Sequence, residues 1–268
     1  MIRPIRYLSL FIVIAVCFSA PVRAQQTPEE ILDAVIKIKA TIPQDASTAQ
    51  IVGTEREGNG VVIDAGGHIL TIGYLILEAE PIEVAAAQGE TVKGHFVAYD
   101  YQTGFGIIRA DPPLPVKPLQ LGQSSQFNVG DPILIAGYGG SEAVLGSRVV
   151  SRKEFVGYWE YLLEDAIYTT PPYPNYGGAA LIDRNGRLLG IGSIYTQLRV
   201  PEIGIIPCNM SVPIDLLKPI LADFFRQSWA LGPAGVKVPL SILQETRIRD
   251  ISVQSADRYQ FLKVSRRR

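Results

Sequence analysis

From Val35 to Ile42 the chain alternates with a period of two. Ile36, Ile38, Ala40 and Ile42 fall on one side, and Lys37, Lys39 and Thr41 on the other. Only an extended strand sorts side chains this way, so this stretch predicts a sheet with one buried face. Gly58-Asn-Gly60 leads into an apolar run, Val61 to Asp64, and Ala65-Gly-Gly67 turns the chain into His68 to Ile72, which predicts a β-hairpin. Ile82 to Ala87 and Thr91 to Tyr99 flank the turn Gln88-Gly-Glu90, and Gln102-Thr-Gly104 turns the chain into Phe105 to Arg109. Short strands at turn spacing are the pattern of an all-β barrel or sandwich.

Asp111 to Gly122 breaks the rhythm with four prolines, and reads as a crossing between two halves. Strands then resume at Asp131 to Ala136, Leu145 to Lys153, Tyr161 to Leu163, Ala166 to Thr169, Ala179 to Asp183, Leu188 to Tyr195 and Ser211-Val212. Asp183-Arg-Asn-Gly186 is a hairpin turn between two of them. Two stretches read as helix. Thr27-Pro-Glu-Glu30 is a capping box with proline at the first helical position, and Leu216, Leu217, Ile220, Leu221, Phe224 and Phe225 form one apolar stripe.

The N-terminus reads as a targeting segment. Arg3 and Arg6 precede an apolar run from Leu8 to Phe18, and Val22-Arg23-Ala24 places small residues at the −3 and −1 positions of a cleavage site after Ala24. An uncleaved anchor and a lipid anchor on Cys17 are the alternatives; Val16 stands where lipidation wants a small residue. Cleavage leaves 22 basic and 26 acidic residues, a net charge of −4, which gives no nucleic-acid footprint. It also leaves Cys208 as the only cysteine, in the apolar run Ile205-Ile-Pro-Cys208, where it reads as a small buried hydrophobe. One cysteine and two histidines, His68 and His95, supply no metal-ligand spacing, so no metal and no cofactor are expected. The Arg266-Arg-Arg268 end reads as a solvated tail, and Tyr158-Trp-Glu-Tyr161 as an aromatic anchor or a partner contact.

Three segments carry a resemblance. They are Gly60 to Thr71, Asp100 to Arg109, and Asn175-Tyr-Gly-Gly-Ala-Ala-Leu-Ile-Asp183 followed by Gly190-Ile-Gly192 and Val212-Pro-Ile-Asp215. In this order the chain resembles the HtrA/DegP branch of the trypsin-like serine proteases over about residues 30–225. The resemblance implies two antiparallel β-barrels of the chymotrypsin/trypsin-like class and a C-terminal helix. The expected division is a signal peptide at 1–24, a first barrel at 25–111, a linker at 112–124, a second barrel at 125–212, a helix at 213–228 and a tail at 229–268 with no PDZ domain.

The resemblance also implies where a Ser-His-Asp triad should stand, with the His activating the Ser, the Asp orienting the His, and two backbone N–H groups stabilising the oxyanion. After Leu70-Thr-Ile-Gly73, where the family has its His, this chain has Tyr74. After Thr103, where it has its Asp, stands Gly104; between Asn175 and Gly177, where it has its Ser, stands Tyr176. The oxyanion-loop glycine is replaced by Pro174, which has no N–H to donate. The reading is therefore a catalytically inactive homologue with no catalytic residue, and the alternative is an active serine endopeptidase of the same class. Tyr74, Tyr173, Asn175, Tyr176 and Gly177 are expected to line the inter-barrel cleft, with Gly190, Ile191, Gly192 and Ser193 offering a strand edge to a protein or peptide ligand. The rival reading of the tyrosines is that they fill the emptied cleft. An exported protein of the periplasm or exterior, without nucleic acid and without membrane insertion after cleavage, is the expected setting.

Overall fold

The structure is a computed structural model that describes residues 26–87, 89, 91–157, 162–200, 204–221, 237–244 and 247–254. The expected targeting segment, the Tyr158 to Tyr161 aromatic cluster and the basic C-terminal end lie outside these residues.

A short helix, α1 (Pro28–Asp33), opens the described chain with a complete capping box: Thr27 accepts from the Glu30 amide, and the Glu30 carboxylate accepts from the Thr27 amide. Six strands follow: β1 (Val35–Thr41), β2 (Glu55–Val62), β3 (His68–Ile72), β4 (Ile82–Ala85), β5 (Thr91–Tyr99) and β6 (Phe105–Asp111). They close into an antiparallel barrel in the order β1-β2-β3-β6-β5-β4. A one-turn helix, α2 (Ala49–Val52), sits between β1 and β2. The alternation in β1 is realised in three dimensions: Ile36, Ile38 and Ala40 are fully buried while Lys39 and Thr41 are exposed.

The proline-rich stretch then crosses to a second closed barrel, β10-β11-β12-β9-β8-β7. Its strands are β7 (Pro132–Ala136), β8 (Val144–Val156), β9 (Leu162–Thr170), β10 (Ala180–Ile182), β11 (Leu188–Val200) and β12 (Gly204–Pro213). Ile133, Ile135, Val149, Ile167, Leu181 and Leu189 form one compact apolar cluster of this barrel. A separate two-stranded hairpin, β13 (Lys237–Gln244) with β14 (Arg247–Gln254), lies in the 229–268 tail, where the sequence carries weak strand patterns.

Four local expectations change. Gly58-Asn-Gly60 lies inside β2 rather than leading into it, because the strand begins at Glu55. The two short strands at Tyr161–Leu163 and Ala166–Thr169 are one strand, β9, over Leu162–Thr170; Glu164 and Asp165 are both exposed and fall where the ladder with β8 shifts register, which is why the pattern reads as two pieces. Ser211-Val212 is the end of the longer β12, paired with β11 down to the Val200↔Gly204 pair. The closing helix starts as a 3₁₀ turn, Ile214–Leu216, and is helical over 217–221, with 222–228 outside the described residues.

Candidate functional site

The site lies where the end of β3 and the loop before β10 meet. Tyr74 sits in a 3₁₀ turn, Gly73–Leu75, that follows β3 directly. Its hydroxyl crosses to the second barrel and donates to the Ser193 carbonyl on β11 at 2.8 Å. A Cβ on Gly177 would lie 2.9 Å from the same hydroxyl, so the Tyr74 hydroxyl is wedged between Gly177 and β11.

Gly104 is held next to Tyr74 by backbone. Asp100 accepts from the Thr103 amide and hydroxyl, the Gly104 amide donates to the Asp100 carbonyl, and the Gly104 carbonyl accepts from Gly73 at 2.7 Å. This tight turn places Gly104 at φ 79°, in the left-handed region that glycine adopts without a Cβ penalty. Asp100 is thus a turn-former here, oriented by its own loop.

Tyr176 lies on the other wall. Its carbonyl accepts from the Ala179 amide, and the Gly178 and Gly192 amides close the loop against β11. The Gly177-Gly178 pair allows this packing: Gly178 has φ 75°, and a Cβ there would fall 1.8 Å from the Asn59 carbonyl. Pro174, Asn175, Tyr176 and Gly177 share a cleft of about 330 Å³ with Tyr74 and Arg56. The structure thus gathers Tyr74, Asn175, Tyr176 and Gly177 at one cleft, with Gly104 behind Tyr74.

Other expected site residues stand elsewhere. Tyr173 is buried in the second barrel, where its hydroxyl donates to the Ala143 carbonyl and burial raises its pKa. It therefore does not line the cleft. Gly190, Ile191 and Gly192 present no free edge: Gly190 and Ile191 pair with β10 on one side and β12 on the other, and Gly192 exchanges hydrogen bonds with Gly178 and Ala179. Ser193 is fully buried and its carbonyl is occupied by Tyr74. Only beyond it, over Ile194–Val200, does β11 carry a ladder on one side alone among the described residues.

Two residues that sequence reading passed over organise the cleft. Asn59 on β2 is completely buried, and its side-chain amide donates to the carbonyls of Asn175 at 2.7 Å and Gly177 at 3.0 Å. Its Oδ1 accepts from the Tyr138 amide, so every polar atom of the side chain has a second-barrel partner. The signal was present in the chain as an asparagine between two glycines, but it reads only as the lead-in to the Val61 to Asp64 run.

Arg56, only 4 % exposed, donates to the carbonyls of Gly53, Tyr74 and Leu77 and to the Thr48 hydroxyl. That hydroxyl donates in turn to Glu78, which also accepts from the Ser47 and Thr48 amides. Burial pulls the Arg56 guanidinium down from its ordinary pKa, with Glu78 opposing. Burial pushes the Glu78 carboxyl up, but the Thr48 and Ser47 hydrogen bonds outweigh it and hold the carboxyl below its ordinary range. Arg56 thus fixes the Tyr74 backbone from beneath. Glu78 stands at φ 61°, an unfavourable backbone state for a side chain of this size that the network holds in place.

The histidines face local acids. His68 Nδ1 lies 2.7 Å from Asp64 at the far end of β3 from Tyr74, and His95 lies 3.4 Å from Asp111. Cys208 is fully buried and its thiol is pushed up by that burial. Among the described residues no group of three or more His, Cys, Asp and Glu could hold a metal ion, and no helix is long and apolar enough to cross a membrane.

The trypsin-like peptidase domain matches residues 58–191. The chain is 28% identical over 212 residues to the serine endoprotease DegS of Haemophilus influenzae, covering 74% of this chain and 59% of that one. It is 27% identical over 192 residues to the chloroplastic protease Do-like 1 of Arabidopsis thaliana, covering 69% of this chain and 43% of the other. The chain thus spans about half the length of these relatives. In fold it is similar to the HtrA-type protease AlgW solved with a tripeptide, at TM-score 0.58 and 21% identity, over 82% of this chain and 70% of that one. The two closed barrels and the matching domain together establish that the chain belongs to the trypsin-like, HtrA-type serine protease superfamily.

Proposed function

We propose that this member is catalytically inactive and acts as a protein- or peptide-binding regulatory component of the bacterial envelope, in the periplasm or outside the cell. The observation that carries the reading is the Tyr74 hydroxyl's bond to the Ser193 carbonyl. At the position where the family keeps its general base, this side chain ties the two walls together instead. Tyr176 at the nucleophile position would need its phenol activated by a neighbouring base or cation, and Pro174 brings no N–H to an oxyanion. The envelope setting is supported by the N-terminal sequence and by relatives such as the probable periplasmic serine protease do/HhoA-like of Haemophilus influenzae.

Binding would use the cleft walls at Tyr74, Asn175 and Tyr176, and strand addition along β11 beyond Ser193, where Tyr195 is half exposed. The alternative, an active serine endopeptidase, is favoured by the protease names of the relatives given above. Both are tested by exposing the purified protein to a fluorophosphonate probe and to an unfolded protein substrate. Absence of labelling and cleavage, with saturable binding of the unfolded chain that Tyr176→Ala weakens, is expected. Stoichiometric labelling or cleavage would establish the alternative.

A further inference from the structure

On the outer face of the second barrel, β10, β7 and β8 form a three-stranded floor in continuous register that shares no lining residue with the Tyr74 cleft. Ile182, Leu134 and Gly146 stand opposite one another in one row. Gly146 leaves a gap in that row: a Cβ built there meets nothing within 4 Å. Leu134 is 44 % exposed beside it. The result is a groove of about 700 Å³, within the size range of small-molecule sites, with Pro171 also in its lining.

One step along the strands, Pro132 stands opposite Arg148, and Arg184 follows Ile182 at the same end; both arginines line the groove. Neither forms an ion pair among the described residues. Arg148 donates only to the Gly130 carbonyl, while the adjacent Asp131 accepts from the Asn128 amide and Asp183 from the amides of its own turn. Two exposed guanidinium groups thus border one end of an apolar trough.

We propose that this groove binds a free single-chain fatty acid, its carboxylate between Arg148 and Arg184 and its alkyl chain along Leu134, Ile182 and the gap at Gly146. The charge is complementary, and guanidinium groups suit a carboxylate acceptor. A peptide fits less well. β7 lies between β8 and β10 and is paired on both sides over Leu134–Ala136, and the Ser147 and Thr170 hydroxyls are bonded to the Pro171 and Pro207 carbonyls. A peptide's own N–H groups would therefore enter the trough without a row of acceptors.

The test is calorimetric titration of decanoate, and of neutral decanol, into the purified protein. Gly146→Phe fills the groove from a position with open space, and the Arg148→Gln/Arg184→Gln double variant removes the charge at exposed sites. Saturable decanoate binding is expected, weakened by about ten-fold or more in each variant, with decanol binding lowered by Gly146→Phe and unchanged by the arginine changes. Thermal unfolding shows whether each variant is folded; should Gly146→Phe not fold, the arginine variant decides. No saturable decanoate binding, or binding that neither variant weakens, overturns the proposal. Flotation with phosphatidylglycerol vesicles in the absence of decanoate binding also overturns it, assigning the arginines to a membrane surface.

Discussion

The Tyr74 hydroxyl on the first barrel is bonded to the Ser193 carbonyl on the second at 2.8 Å. Ser193 is fully buried, so the carbonyl has no ready access to water when this donor is removed. Tyr74→Phe keeps the ring and deletes the donor. It should lower stability by about 1–3 kcal/mol, measured by chemical denaturation, because a buried acceptor loses its partner. A loss below about 0.3 kcal/mol would mean that water replaces the hydroxyl.

Restoring the family's side chains should not restore the chemistry. The triple variant Tyr74→His, Gly104→Asp, Tyr176→Ser lacks an oxyanion donor at Pro174, a group worth ~2.7–4 kcal/mol in comparable sites. Adding Pro174→Gly should therefore raise turnover of an ester substrate about 10²–10³-fold over the triple variant. Gly104→Asp carries its own cost of about 1 kcal/mol, because position 104 is at φ 79°. Robust turnover by the triple variant alone would show that Pro174 is not the oxyanion position.

Asn59 answers three backbone groups from the second barrel with one side chain. Asn59→Leu should destabilise the protein by at least about 3 kcal/mol, since several buried polar groups lose partners together. Asn59→Asp should be no milder. Its carboxylate would turn an oxygen toward the carbonyls of Asn175 and Gly177, and burial would penalise the charge. A Tm for either variant within a degree of the wild type would sink this account.

Asp215 gives the structure a defined acid sensitivity. Burial pushes its carboxyl up, but the Lys218 ammonium and the Ser125 amide outweigh burial and lower it from 3.8 to about 2. A depressed folded-state pKa stabilises the fold above the unfolded value and loses that contribution as pH falls toward 2. Asp215→Asn should therefore cost on the order of 1 kcal/mol at neutral pH, after allowance for solvent screening, and almost nothing near pH 2. Parallel denaturation curves at the two pH values check this.

The barrel fold was legible because its strands are half-buried, and half-burial writes itself as alternation, as in Ile36 to Ile42. Legibility failed where residue type does not follow burial. Beyond Ser193 the β11–β12 ribbon still alternates between exposed and covered positions, but Tyr195 and Ile205 stand on its exposed side and Pro207 interrupts the strand pattern. The cleft was legible at Tyr74 and Tyr176 because flanking glycines fix the local geometry. Arg56, Thr48 and Glu78 were not, because their association depends on tertiary approach across 30 residues and not on spacing. Tyr173 misled for a related reason. Three residues from Tyr176 along the chain, it is directed into the barrel by the Asn209 side chain, which accepts its amide hydrogen.

The position of Asn59 bears on how the chain folds. A residue of β2 whose amide is answered only by the Asn175 and Gly177 carbonyls and the Tyr138 amide would be left unmatched in a first barrel standing alone. The Thr71 hydroxyl, bonded to the Asn59 carbonyl, extends that dependence into β3. The two barrels should accordingly melt in one cooperative transition, and the first, cut away at the proline-rich crossing, should not hold its native state.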